Sequence, residues 1–237
     1  MTALERVDYA DGESALTGWL ARPAGIPRAA VLVFPTIMNV TPFVEAKAQA
    51  LTEQGYLALI ADFYGTPVAD FAASMVLAGA LRADVDGYRT RLRAGLTALA
   101  KLVPDLPKAA IGFCMGGQAV LELARENADI ALAASFHGIL ETYRPAPVGG
   151  PVSPRILICH GDADALVPRS QVIAFWEEMD LAKANWHFHS YSGVGHGFAN
   201  PNPSPANGSI SFDASADRQS WTAMLSLFDE VFGQASR

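Results

Sequence analysis

The chain has 237 residues, enough for one domain with a sizeable core, and 51% hydrophobic against 17% charged residues exclude a disordered chain. The 24 acidic and 17 basic residues give a formal charge of −7 with no Lys/Arg cluster, which argues against nucleic acid and anionic membranes as partners. With Cys114 and Cys159 as the only cysteines, a disulfide scaffold is excluded and a cytoplasmic location is expected.

Met1 to Asp8 lacks the apolar stretch of a signal peptide. Val7 to Leu20 reads as a β-hairpin turning at Asp11-Gly12. Ala29 to Pro35 is a continuous apolar run, as expected of a strand buried on both faces of a parallel sheet, and too short to span a bilayer. Pro42 to Gln54 predicts a helix closed by Gly55, and Tyr56 to Ala61 the next strand, followed by Asp62-Phe63-Tyr64-Gly65. A long helical region covers about Val68 to Leu102, with a break expected near Gly79. Ala109 to Phe113 reads as a strand, Met115 to Glu126 as a helix, and Ile130 to Phe136 as a strand ending at His137-Gly138. A proline-rich loop, Pro145 to Pro154, leads to the strand Arg155 to His160. Ser170 to Ala182 is helical, Trp186 to Tyr191 a strand, Pro201 to Gly208 a loop, and Ala214 to Phe232 an amphipathic helix. Strands alternating with helices predict one α/β domain over 1–237, a mostly parallel doubly wound sheet with helices on both faces and the hairpin at one edge.

The chemistry concentrates where strands end. Gly112-Phe113-Cys114-Met115-Gly116-Gly117 joins a strand to a helix and has the form of a nucleophile elbow with cysteine in place of serine. Its glycines permit a tight strand-to-helix turn, and a helix N-terminus favours a thiolate. After the strand Arg155 to His160, Asp162 and Asp164 both occupy a loop from which a carboxylate can orient a histidine. Asp164 is favoured because Asp164-Ala165-Leu166-Val167-Pro168 matches the acid turn of α/β-hydrolases, while Asp162 suits bracing the turn. After Trp186 to Tyr191 comes Gly195-His196-Gly197-Phe198, a histidine held between glycines on a loop. Nucleophile, acid, histidine is the chain order of α/β-hydrolases. The implied chemistry is thiolate attack on an ester or lactone carbonyl, with His196 moving the proton and Asp164 fixing its tautomer. The oxyanion needs two N–H donors: Met115 supplies one, and Ile37 or Thr36 the other.

At these residues the chain resembles the dienelactone hydrolase family, cysteine hydrolases of the α/β-hydrolase fold. Glu53-Gln54-Gly55-Tyr56 and Asp62-Phe63-Tyr64-Gly65 add to the resemblance, which extends over nearly the whole chain. It implies triad roles for Cys114, Asp164 and His196, a small ester or lactone substrate, and no cofactor. Two departures stand out. In dienelactone-cleaving members a glutamate helps convert the resting thiol to thiolate, and Thr36 stands at that position here. Those members also hold the substrate carboxylate with arginines; Asn200 stands where one is expected, and Arg82 is a loose candidate for the other. A neutral or differently shaped ester is therefore expected.

Thr36, Tyr64, His137, Phe198 and Asn200 are the candidate substrate contacts; strand capping competes for His137, and core packing for Tyr64 and Phe198. His187 and His189 share a strand face but lack a third ligand nearby, so no metal site is expected. His160 reads as structural and Cys159 as an inert buried thiol. A thioesterase or acyl transferase would use the same triad, and a non-catalytic binder could occupy the same scaffold. Monomer and homodimer both remain open.

Overall fold

The computed structural model describes residues 4–12, 14–202 and 211–233. The expected loop at Pro201–Gly208 lies outside the described residues from 203 on, as do the first three residues of the N-terminal segment. In chain order the elements are β1 Glu5–Ala10, β2 Ala15–Ala21, β3 Ala30–Phe34, α1 Pro42–Glu53, β4 Leu57–Ile60, α2 Phe71–Ala83 and α3 Val85–Leu102. Then follow β5 Lys108–Phe113, α4 Met115–Arg125, β6 Leu132–Phe136, β7 Arg155–Gly161, α5 Arg169–Leu181, β8 Trp186–Tyr191 and α6 Ala214–Phe232.

The strands form one sheet in the order β1-β2-β4-β3-β5-β6-β7-β8. The β1–β2 hairpin and the β2–β4 pair are antiparallel, and all other neighbours are parallel. This is the doubly wound α/β-hydrolase sheet with its hairpin at one edge. The side-chain period of two divides β3 between two cores. Ala30, Leu32 and Phe34 pack with α3, α4 and α5, while Val31 and Val33 pack with α1 and α6. All five are buried, and each Val, Leu or Phe among them contributes about 1.5–3 kcal/mol by leaving water. A strand apolar on both faces can sit only in such a sandwiched sheet.

Helix ends follow their capping residues. Gly55 adopts φ 80 just past α1, where its N–H and that of Tyr56 bond to Thr52 and Leu51 carbonyls. The long helical region divides elsewhere than expected. Gly79 stays inside α2, and the break falls at Asp84, which is extended and accepts the Gly87 N–H at 3.1 Å as the N-cap of α3. Asp70 likewise caps α2 through Ala73, so that helix starts at Phe71 rather than Val68. Two capping aspartates override a glycine that costs a helix only about 1 kcal/mol. No helix among the described residues is long and apolar enough to cross a membrane.

Candidate active site

The parallel strands deliver their carboxyl ends, and the loops that follow, to one rim of the sheet. At the end of β5 the chain turns into α4 through Cys114, whose backbone sits at φ 57 and ψ −116. A non-glycine residue held there carries about 1–3 kcal/mol of strain, so the surroundings must enforce it. The glycines explain how they do. A Cβ on Gly112 would lie 1.9 Å from the Gly116 carbonyl oxygen, and one on Gly116 would lie 2.2 Å from the Phe34 carbonyl oxygen. Only hydrogen fits at either position. Half-buried Cys114 is thereby held at the rim, at the N-terminus of α4.

The loops after β7 and β8 are joined to each other. Asp162 N–H donates to Tyr191 O and Ala163 N–H to Val194 O, both at 2.9 Å. Asp164 and His196 consequently meet: His196 Nδ1 lies 2.7 Å from Asp164 Oδ2, and both side chains are buried. Asp162 instead pairs with exposed Arg169 at 2.6 Å and braces the turn. The other ring nitrogen of His196, Nε2, is also buried, and Cys114 is the charge that acts on the ring from nearby.

Electrostatics favour a thiolate–imidazolium pair. Burial pushes the Cys114 thiol up, but the His196 charge and hydrogen bond, with the N–H groups of Met115 and Ile37, outweigh it and leave the thiol below its ordinary value. Burial pulls His196 down, but the Cys114 charge and the Asp164 hydrogen bond leave it raised. The backbone N–H groups that bear on the sulfur electrostatically are those of Met115 and Ile37.

Cys114 and His196 form the floor of a cavity of about 320 Å³. One wall is a face of α2, carrying Phe71, Met75, Ala78, Gly79 and Arg82. Ile37, Met115, Ile139, Glu141 and Leu166 complete the lining. None of the five candidate substrate contacts lines it. Thr36 turns its hydroxyl onto the Met38 N–H, and Tyr64 directs its own to the Ile37 carbonyl. His137 is buried with its ring edge-on to those of His196 and Phe198. Phe198 is fully buried against Tyr191. Asn200 closes the turn after His196, donating its N–H to Gly197 O and accepting from Asn202 N–H. The α2 wall was not legible in sequence because this helix is apolar nearly all round, so no stripe marks its cavity side. Among the described residues, no group of three or more His, Cys, Asp or Glu is placed to hold a metal.

An eight-stranded sheet of this order, with a strained elbow at the end of β5 and an acid and a histidine on later loops, defines an α/β-hydrolase. The family model of the dienelactone hydrolase family matches residues 16–232, and the chain belongs to that family, hydrolases acting on esters. Among solved structures it is similar to a dienelactone hydrolase-like promiscuous phosphotriesterase from metagenomic libraries, with 32% identity, a TM-score of 0.89, and coverage of 97% of this chain and 98% of that one. A probable 2-oxo-3-(5-oxofuran-2-ylidene)propanoate lactonase from Bradyrhizobium sp is 29% identical over 197 residues, 75% of this chain and 76% of that protein. An uncharacterized protein of Caenorhabditis elegans is 37% identical over 149 residues, 61% of this chain and 94% of that protein.

Proposed function

We propose that the protein hydrolyses small carboxylic esters or lactones through a thioacyl-enzyme on Cys114. The observation that carries this reading is the buried His196–Asp164 contact of 2.7 Å, with His196 lining the same cavity as a cysteine at a strained elbow. The Cys114 thiolate attacks the carbonyl carbon, and the oxyanion is received by the N–H groups of Ile37 and Met115. The tetrahedral intermediate collapses, the C–O bond breaks, and His196 gives its proton to the departing alkoxide. Neutral His196 then takes a proton from water, hydroxide adds to the thioester, and the acid leaves as the sulfur recovers its charge. Asp164 keeps Nδ1 protonated and offsets the positive ring throughout.

The cavity supports a compact, largely apolar substrate of a few carbon units. Arg82 qualifies the expectation of a neutral ester. It lines the wall with a buried Nε that has no hydrogen-bond partner, so an anionic substituent at that end would meet a cation. A panel of short aryl esters and lactones, with and without a carboxylate, tests this function. Activity in the native protein that is lost in Cys114→Ala is expected; equal activity in both would remove the nucleophile assignment.

The likeness to a phosphotriesterase along 97% of the chain favours a second reading. Here the thiolate attacks phosphorus and expels an aryloxide, and water later cleaves the S–P bond. Release of the phenol from an aryl dialkyl phosphate by the native protein, and not by Cys114→Ala, would support it.

A further inference from the structure

The loop that carries Ile37 is fastened to the loop after β4 more tightly than chain connectivity requires. Asp62 Oδ1 accepts from Asn39 Nδ2 at 2.8 Å and from the Tyr64 and Gly65 N–H groups at 2.9 and 3.0 Å. Its Oδ2 accepts the Thr17 N–H at 3.0 Å, and Asn39 Oδ1 accepts the Phe63 N–H at 3.2 Å. Asn39 does this from φ 62, a conformation it tolerates better than most residues. Residues 36–39 and 62–65 thus form one hydrogen-bonded unit.

Tyr64 reaches from this unit to both residues that the thioacyl reading assigns as oxyanion donors. Its hydroxyl donates to the Ile37 carbonyl at 3.0 Å and lies 3.6 Å from Met115 Sδ. The N–H at the other end of the same Ile37–Met38 peptide donates to Thr36 Oγ1 at 3.2 Å. Two hydroxyls therefore grip one peptide from opposite ends. The Ile37 N–H is one rotatable Cα away from it, so fixing this peptide limits rotation about Ile37. Burial, with the Cys114 charge nearby, raises the Tyr64 hydroxyl, which keeps its proton to donate.

We infer that Tyr64 is a positioning residue of the oxyanion hole, whose hydroxyl, opposed by that of Thr36, aims the Ile37 N–H at the developing oxyanion. This rests on the thioacyl reading and gives Thr36 a part in the same loop through its hydrogen bond from Met38. An oxyanion donor displaced by a fraction of an ångström loses much of its effect, because the stabilisation exists only in the aligned geometry.

The test compares native protein, Tyr64→Phe and Thr36→Val on an aryl ester and on its thionoester, whose sulfur anion is a poorer hydrogen-bond acceptor. The expected result for Tyr64→Phe is a kcat loss of about 10- to 30-fold with KM within about twofold. The preference for the oxo over the thiono ester should shrink, and iodoacetamide alkylation of Cys114, which builds no oxyanion, should keep its rate. Thr36→Val should move the same readouts in the same direction by less. An unchanged kcat and oxo/thiono ratio in Tyr64→Phe, a rise in KM alone, or an equal fall in alkylation would each overturn the inference. Failure of the thioacyl reading would look different: ester hydrolysis by the native protein would survive Cys114→Ala.

Discussion

Asp164 divides its carboxylate between structure and chemistry: Oδ2 lies 2.7 Å from His196 Nδ1, and Oδ1 accepts the Leu166 N–H at 2.8 Å. The second bond fixes the carboxylate, so the first can fix the ring. Asp164→Asn keeps an acceptor for Leu166 but permits the wrong tautomer of His196. Steady-state kinetics should show kcat lowered about 10³- to 10⁴-fold, with thermal stability nearly unchanged. Native-like turnover in this variant would mean that His196 needs no carboxylate partner.

The paired shifts of Cys114 and His196 set a pH dependence. A thiol held below its ordinary value is charged above that lowered value and loses its charge as pH falls through it. A histidine held above its ordinary value stays protonated until pH rises through the raised value. The ion pair thus fills the window between the lowered thiol value and the raised imidazole value. Alkylation of Cys114 should therefore set in at lower pH than that of an ordinary exposed thiol and fall as pH drops through the lowered value. In His196→Asn the burial penalty remains without its counter-charge, so the profile should move to higher pH. Identical profiles for both proteins would argue against the pair.

Cys159 gives an internal control. It is buried in β7, and burial pushes its thiol up to about 12. A thiol-counting reagent should find one reactive cysteine in the native protein and two after denaturation. Rapid modification of Cys159 in the folded protein would contradict its placement.

Arg82 predicts a substrate preference. Removing its charge by Arg82→Gln should raise KM about 3- to 10-fold for esters carrying a carboxylate and leave neutral esters unaffected, the size expected of one partly solvated charge pair. A uniform rise for both classes would indicate packing rather than charge recognition.

Away from the site, Glu122 lies buried between Arg89 and Arg125, at 2.7 and 3.0 Å, and Glu178 receives the far side of Arg125 at 2.8 Å. Glu122→Ala would leave two buried guanidinium groups short of a partner, costing on the order of 3–5 kcal/mol. Calorimetry should show Tm lowered by about 10 °C, against about 2–4 °C per kcal/mol for a chain of this size. A shift under about 2 °C would mean that Glu178 and carbonyl groups suffice for these arginines.

What could be read from sequence was what depends on local pattern. Apolar runs such as Ala30–Phe34 announced buried parallel strands, and Gly112 and Gly116 announced the elbow because only glycine survives those approaches. Asp164 was separable from Asp162 through the proline turn that follows it. The break at Asp84 was missed because a capping aspartate resembles any exposed charge until its side chain is seen on Gly87. The cavity wall and the role of Tyr64 arise between segments distant in sequence. Phe71 to Arg82 carry no periodic signal, and Tyr64 meets Ile37 only because Asp62 and Asn39 join two loops.

Acyl transfer to sulfur leaves a direct trace in intact and peptide mass spectrometry after rapid acid quench of the protein mixed with an excess of an activated aryl ester. A mass increase equal to the acyl group should appear on Cys114, formed and discharged at rates consistent with turnover. Turnover with no such adduct, together with unimpaired hydrolysis by Cys114→Ala, would contradict it.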